Sequence, residues 1–295
     1  MLFGVLWYGG RLVIAGEISL GVLIAFLMVT GMLYPRITSI FNNILAFQGV
    51  KIEFERFMEY YDVKKAVEEY TTTEKLSITS GKIEIENLNF GYTQDNMILK
   101  DLSLTIEPNK VTVIVGNNGC GKTTLCKLIS RFFDPNDGRI MIDGTDIRYI
   151  SLISLRESIS YQPQNQFLIS GTILENITCG KDTQDVSSVL TAVKTAKIAA
   201  FIDDLPYGLY TRIGEGGSRI SGGQAQRIAL ARLYYNNVPI ILLDEPTTFI
   251  DTEGEGFFKE IIEELRYKAT IIVVTHNRET VKLADTVIDL KMEDN

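Results

Sequence analysis

Three short stretches carry residue types that can handle a phosphate chain. The first is Gly116-Asn117-Asn118-Gly119-Cys120-Gly121-Lys122-Thr123-Thr124, which fits G-x-x-x-x-G-K-[ST], the spacing of a phosphate-binding loop. Its glycines let successive backbone N–H groups turn toward one anion, and the dipole of the following helix adds to their pull. Lys122 has the reach for the β- and γ-phosphates of a nucleotide, and the Thr123 hydroxyl is placed to hold magnesium. The second stretch, Asp244-Glu245, closes an apolar run. Asp244 suits a magnesium ion held through water, and Glu245 could orient or polarise a water attacking the γ-phosphate. The third, Ser221-Gly222-Gly223-Gln224, opens the helical run 225–232 and would make a second anion site at a helix start.

One chain thus has two phosphate-binding helix starts but a single acidic pair. The economical reading is that the second start caps a nucleotide held by another copy, so that a twofold dimer makes two equal composite sites.

The elements that must position these residues can be read from patterning. Residues 111–115 are apolar and β-branched, as a buried strand requires, and 125–129 read as the start of a helix. Residues 82–88 alternate like a strand with one exposed face, Asn89-Phe90-Gly91-Tyr92 ends it, and 98–106 suggest a returning strand. Residues 138–144 give a strand and turn, and 183–235 look mainly helical. Residues 239–244 form a buried strand expected beside the phosphate-loop strand, 257–265 a helix, and 270–275 another buried strand. Strands alternating with helices imply a mostly parallel α/β sheet with ligands at the strands' carboxyl ends.

Residues 1–50 differ in kind, with Arg11, Glu17 and Arg36 as their only charges. The uncharged, mostly apolar run from Ile18 to Pro35 implies a transmembrane helix beginning near Ser19 or Leu20, with a buried core helix as the alternative. A secretory signal fits poorly, because Met1–Gly10 has no basic start. Pro35 should kink the helix. Beyond Val50, Ile52, Phe54, Phe57, Met58 and Tyr61 interleave with charges, so the helix should leave the membrane as a stalk. Met1–Ile14 reads as the last part of a second spanning helix, with residues 11–17 as the turn. Lys51, Arg56, Lys64 and Lys65 agree with a cytosolic near side. Residues 62–81 read as a polar linker.

A net charge of −8 and a pI near 4.9 argue against a nucleic-acid surface. Cys120, Cys126 and Cys179 show no paired spacing, which argues against a disulfide framework or zinc site. Cys126 reads as a small buried hydrophobe.

With these residues in place, about 82–290 resembles the nucleotide-binding domain of the ATP-binding cassette family. Residues 116–124 resemble its Walker A motif, 240–245 its Walker B motif and 220–224 its signature, with Ile220 where leucine is usual. The resemblance implies an α/β fold, a P-loop NTPase of ABC type with a helical subdomain, preceded by one long transmembrane or stalk helix and part of another. It also implies ATP and Mg2+ as cofactors. Tyr92 matches the aromatic that stacks on adenine, though a strand-edge tyrosine is the plainer alternative. Gln164, flanked by Gln162 and Gln166, matches the glutamine that senses magnesium and contacts the membrane-domain interface. Phe249-Ile250-Asp251 matches the loop that crosses the dimer, with phenylalanine where a small residue is usual. His276, the chain's one histidine, matches the switch residue on the γ-phosphate.

Residues 211–217 and 16–21 are similar to stretches of exporters that fuse membrane and nucleotide domains. The expected organisation is 1–61 as the C-terminal part of a transmembrane domain, 62–81 as linker and 82–295 as nucleotide domain. The expected activity is ATP hydrolysis coupled to export from a membrane-embedded subunit whose nucleotide domain is cytoplasmic. Its partners would be a second such subunit, identical or not, packed head to tail, and further membrane helices. A soluble ABC-type ATPase not engaged in transport is the alternative, and a peptide, lipid or drug-like substrate all stay open.

Overall fold

The computed structural model describes the chain apart from residues 1, 62–66, 68–77, 94–95, 166, 182–185, 215–216, 218–219, 249–251 and 291–295. It falls into two compact units, 1–65 and 66–295. Most of the expected linker, Gln166, part of the loop at 211–217 and all of Phe249-Ile250-Asp251 lie outside the described residues.

The first unit is a helical hairpin of α1 (Leu2–Ile14) and α2 (Leu20–Tyr61). At Gly9 a side chain would run into Leu23, so the two helices pack through a glycine. Arg11 belongs to the last turn of α1, where its guanidinium lies over the Trp7 ring, and the turn is confined to the residues after Ile14. The 42 residues of α2 correspond to about 63 Å, twice a bilayer core. Its apolar window is unburied within this chain, as a helix that meets lipid or further helices would be. The helix runs unbroken through Pro35.

In the second unit, β1 (Ile83–Thr93) and β2 (Asn96–Ile106) form a long hairpin, and β4 (Asp137–Ile142) and β5 (Thr145–Asp146) extend it in the order β2-β1-β4-β5. Strand β1 does not end at Asn89–Tyr92 as the polar residues suggest. Register shifts along the pairing absorb Asn87, which sits at φ 46°, and the ladder resumes through Thr93.

The second sheet is parallel, ordered β6 (Ile159–Gln162), β7 (Ile240–Asp244), β8 (Thr270–Val274), β3 (Val111–Val115) and β9 (Thr286–Asp289). β7 therefore does not lie beside the phosphate-loop strand, as its sequence suggests, because β8 is hydrogen-bonded between them. Sequence order and spatial order differ in a crossover sheet, and only the shared direction of the strands brings their carboxyl ends together.

Both faces of this sheet are covered, which is why its strands are continuous apolar runs. Ile240 and Leu242 face a core shared with the antiparallel sheet, α3 (Lys122–Ile129) and α4 (Leu152–Ser158). Ile241 and Leu243 face a core built with α5 (Ile173–Thr178), α6 (Val186–Thr195), α7 (Ala199–Asp203), α8 (Gly222–Asn236) and α9 (Thr252–Leu265). The fully buried Arg131 ties the end of α3 to the carbonyls of Ile147 and Ile150 and to Asp134.

Asp143, in the turn between β4 and β5, accepts hydrogen bonds from the backbone of Thr79, Ser80, Gly81 and Lys82 and from the Ser80 hydroxyl. Burial alone would raise its pKa, but these donors hold the carboxyl well below the usual range. The chain entering β1 is thereby fixed to the β4–β5 turn beside it.

Candidate nucleotide and magnesium site

The phosphate loop joins β3 to α3. Gly121 caps α3 at φ 99°, and a Cβ there would come within 2.5 Å of Leu99 Cδ2. Only glycine meets both demands. No side chain caps this helix start, so its N–H groups are left for a ligand.

Asn118, Gly119, Gly121, Lys122, Thr123 and Thr124 line a cleft of about 320 Å³ together with Ile98, Gln164, Asp244 and Glu245. Gly116, Asn117 and Cys120 are not among its lining residues. The Lys122 ammonium donates to the carbonyls of Gly116 at 2.8 Å and Asn117 at 3.0 Å, and it lies 3.9 Å from Cys120 Sγ. The loop thus holds its lysine on its own carbonyls, within reach of an incoming phosphate.

Asp244 ends β7 almost fully buried. Its Oδ1 has no hydrogen-bond partner, while Oδ2 lies 3.5 Å from the Tyr161 hydroxyl. Burial raises its pKa, the Glu245 charge adds to this, and the Thr123 and Tyr161 hydroxyls oppose it. Burial and the Asp244 carboxylate likewise push the Tyr161 phenol and the Cys126 thiol upward, so Cys126 is the inert buried hydrophobe its neighbours suggest. An orphaned carboxylate oxygen in one cleft with Thr123 is a donor set that suits a hard, oxygen-seeking cation such as magnesium.

Glu245 sits at φ 49°, a strained conformation for a non-glycine residue, and its amide is held by the Val274 carbonyl at 2.8 Å. Its carboxylate meets His276 Nδ1 at 2.8 Å, with Thr275 Oγ1 3.5 Å away. Glu245 is mostly buried and His276 largely exposed, so the histidine caps the carboxylate from the solvent side.

Tyr92 does not line the cleft. Its hydroxyl is 3.4 Å from Thr124 Oγ1, and the half-exposed ring is braced edge-on by Phe90 and Phe133. The signature stretch is elsewhere too. Ser221 caps α8 through a closed capping box: its Oγ accepts from the Gln224 amide at 3.2 Å, and Gln224 Oε1 accepts from the Ser221 amide at 2.9 Å. Ser221 and Gly222 are exposed, and Ser221, Gly222, Gly223 and Gln224 are not among the residues around the cleft.

Patterning did not single out Tyr161, Thr275, Asn277 or Ile98. Tyr161 could have been found only from the β6–β7 register, which pairs it with Leu242 on the face that carries Asp244. Thr275 and Asn277 flank His276, and their neighbourhood was the available signal.

Known proteins resemble the chain over most of its length. Residues 99–248 match the family model described as ABC transporter. The Beta-(1-->2)glucan export ATP-binding/permease protein NdvA of Agrobacterium fabrum is 37% identical over 286 residues, 97% of this chain and 49% of that protein. The ATP-dependent lipid A-core flippase of Syntrophus aciditrophicus is 38% identical over 289 residues, 97% of this chain and 47% of that protein. A solved bacterial Atm1-family ABC exporter with ATP bound superposes with a TM-score of 0.77 at 33% identity, covering 94% of this chain and 47% of that one. The chain spans about half the length of the curated relatives it matches.

Proposed function

The chain belongs to the ABC transporter family, and from that premise we propose that it binds ATP with magnesium and hydrolyses the nucleotide to drive export across a membrane. The observation that carries this is the convergence of Lys122, Thr123, Gln164, Asp244 and Glu245 on one cleft, with His276 on Glu245. Gly116–Thr124 and the start of α3 cradle the phosphates, and Lys122 exchanges its loop carbonyls for β- and γ-oxygens. Thr123, Asp244 and Gln164 would hold the magnesium, which would neutralise phosphate charge. Glu245 orients and polarises the attacking water, and His276 keeps its carboxylate in place and meets the γ-phosphate. Tyr92 offers its exposed face to the adenine.

The signature residues Ser221, Gly222, Gly223 and Gln224 act on the nucleotide of a second subunit packed head to tail. The exposure of Ser221 and Gly222, and the absence of all four from this chain's own cleft lining, support that arrangement. Residues 1–61 form the end of a membrane domain, 62–81 the connector and 82–295 the cytoplasmic nucleotide domain. The unburied apolar window of α2 and the boundary between the two units at 65/66 support this division. The names of the relatives, an exporter of glucan and a flippase of lipid A-core, suggest an amphiphilic or polar cargo class rather than a defined substrate.

The test is phosphate release from MgATP by the full chain in detergent. Hydrolysis that requires magnesium and disappears in Lys122→Ala is expected; failure to bind or cleave ATP would overturn the reading.

A further inference from the structure

We propose that Asn277 is a positioning residue that staples the base of the loop between β7 and α9 and so holds His276 against Glu245. The inference deepens the reading above and rests on Glu245 and His276 acting on the nucleotide.

Asn277 uses both ends of its amide. Its Oδ1 accepts from the Glu279 amide at 2.8 Å, which makes it the N-cap of the short helix 278–281. Its Nδ2 donates to Glu255 Oε1 at 2.9 Å, in the first turns of α9, and lies 3.4 Å from Thr247 Oγ1. A backbone donor on one side and a carboxylate on the other leave only one sensible orientation for the amide. Thr247 and Glu255 flank the stretch 248–254, so one side chain bridges the two ends of that loop.

The Asn277 backbone amide also donates to Thr275 Oγ1 at 3.0 Å. Thr275, His276 and Asn277 therefore wrap the Glu245 carboxylate as one unit. Its near end touches Glu245, and its far end is anchored to α9 through Asn277. His276 is largely exposed and has little packing to hold it. Its 2.8 Å contact with Glu245 depends on the residue that follows it. N-capping alone does not explain Asn277, since aspartate would cap equally well and offers no donor for Glu255 to accept.

The test separates the two jobs in the full chain. Asn277→Ser keeps an N-cap oxygen and loses the donor to Glu255, Glu255→Ala loses the acceptor, and Glu255→Gln keeps one. Asn277→Ser and Glu255→Ala should each lower kcat about tenfold, the loss expected for one charge-assisted hydrogen bond. KM for ATP should stay within about twofold, and the double variant should fall no further. Glu255→Gln should recover most of the rate. Hydrogen exchange should rise together at 275–279 and 252–256 in both single variants. Additive losses, an unchanged kcat, or exchange confined to 278–281 would overturn the proposal. A wild-type chain that cleaves no ATP would defeat the functional reading instead, and the exchange data would still decide whether the staple exists.

Discussion

The starts of α3 and α8 look alike in sequence, each rich in glycine and small polar residues, yet the structure equips them in opposite ways. α3 begins at a left-handed Gly121 with no side chain on its N–H groups, in a cleft that already holds Lys122 and the orphaned oxygen of Asp244. α8 begins at Ser221 with its capping box closed and its surface open. The first is incomplete without an anion; the second is complete alone and spends its serine on itself. A bare helix end in a charged cleft is a binding site in waiting. A satisfied, exposed helix end needs a partner to bring it a ligand.

The largest expected effect tests the cleft at α3. Glu245→Gln keeps the shape of the side chain and removes its charge, so turnover should fall by ~10²–10⁴-fold while ATP binding persists. Near-normal phosphate release would remove Glu245 from its role. Next comes the division of labour between the two helix starts. Lys122→Ala and Ser221→Ala should each be inactive, and mixing them should restore ATPase activity, because one site of a mixed dimer then joins an intact loop to an intact signature. Demonstrated mixed dimers with bound ATP and no rescue would break the comparison at its centre.

Smaller effects sharpen it. Gly121→Ala should cost ~1–3 kcal/mol of stability, since a side chain is strained at φ 99° and crowded by Leu99. Gly222→Ala meets nothing within 4 Å and should leave the melting temperature unchanged or slightly raised while lowering dimer activity. Loss of stability there would mean that the glycine serves the fold. Ser221→Ala should lose ~1 kcal/mol with its cap, and Ser221→Asp should keep the cap. Both should still be inactive in the dimer, and an active Ser221→Asp chain would show that capping is all Ser221 does.

What was legible in the sequence was local. The phosphate loop, the acid pair and the N-cap at Ser221 are encoded in adjacent residues, and the apolar runs of β3, β7 and β8 reveal strands buried on both faces. What was not legible was lateral. Nothing in residues 239–244 says that β8 intervenes before β3, because strand order is decided by crossovers and not by composition. The extension of β1 past Asn89 was hidden because register shifts accept polar residues that would end a regular ladder. Tyr161 beside Asp244 and Asn277 across to Glu255 join residues far apart in the chain, and a one-dimensional pattern carries no trace of either.

Asp143 has a mechanical consequence. The backbone from Thr79 to Lys82 hangs on one carboxylate through four amides. Tension applied to the chain before Thr79 would therefore meet that carboxylate, together with the Thr270 hydroxyl on the Gly81 carbonyl, before it reached the β1–β4 ladder. Because all four amides share one acceptor, protonating that carboxylate would weaken the four bonds together.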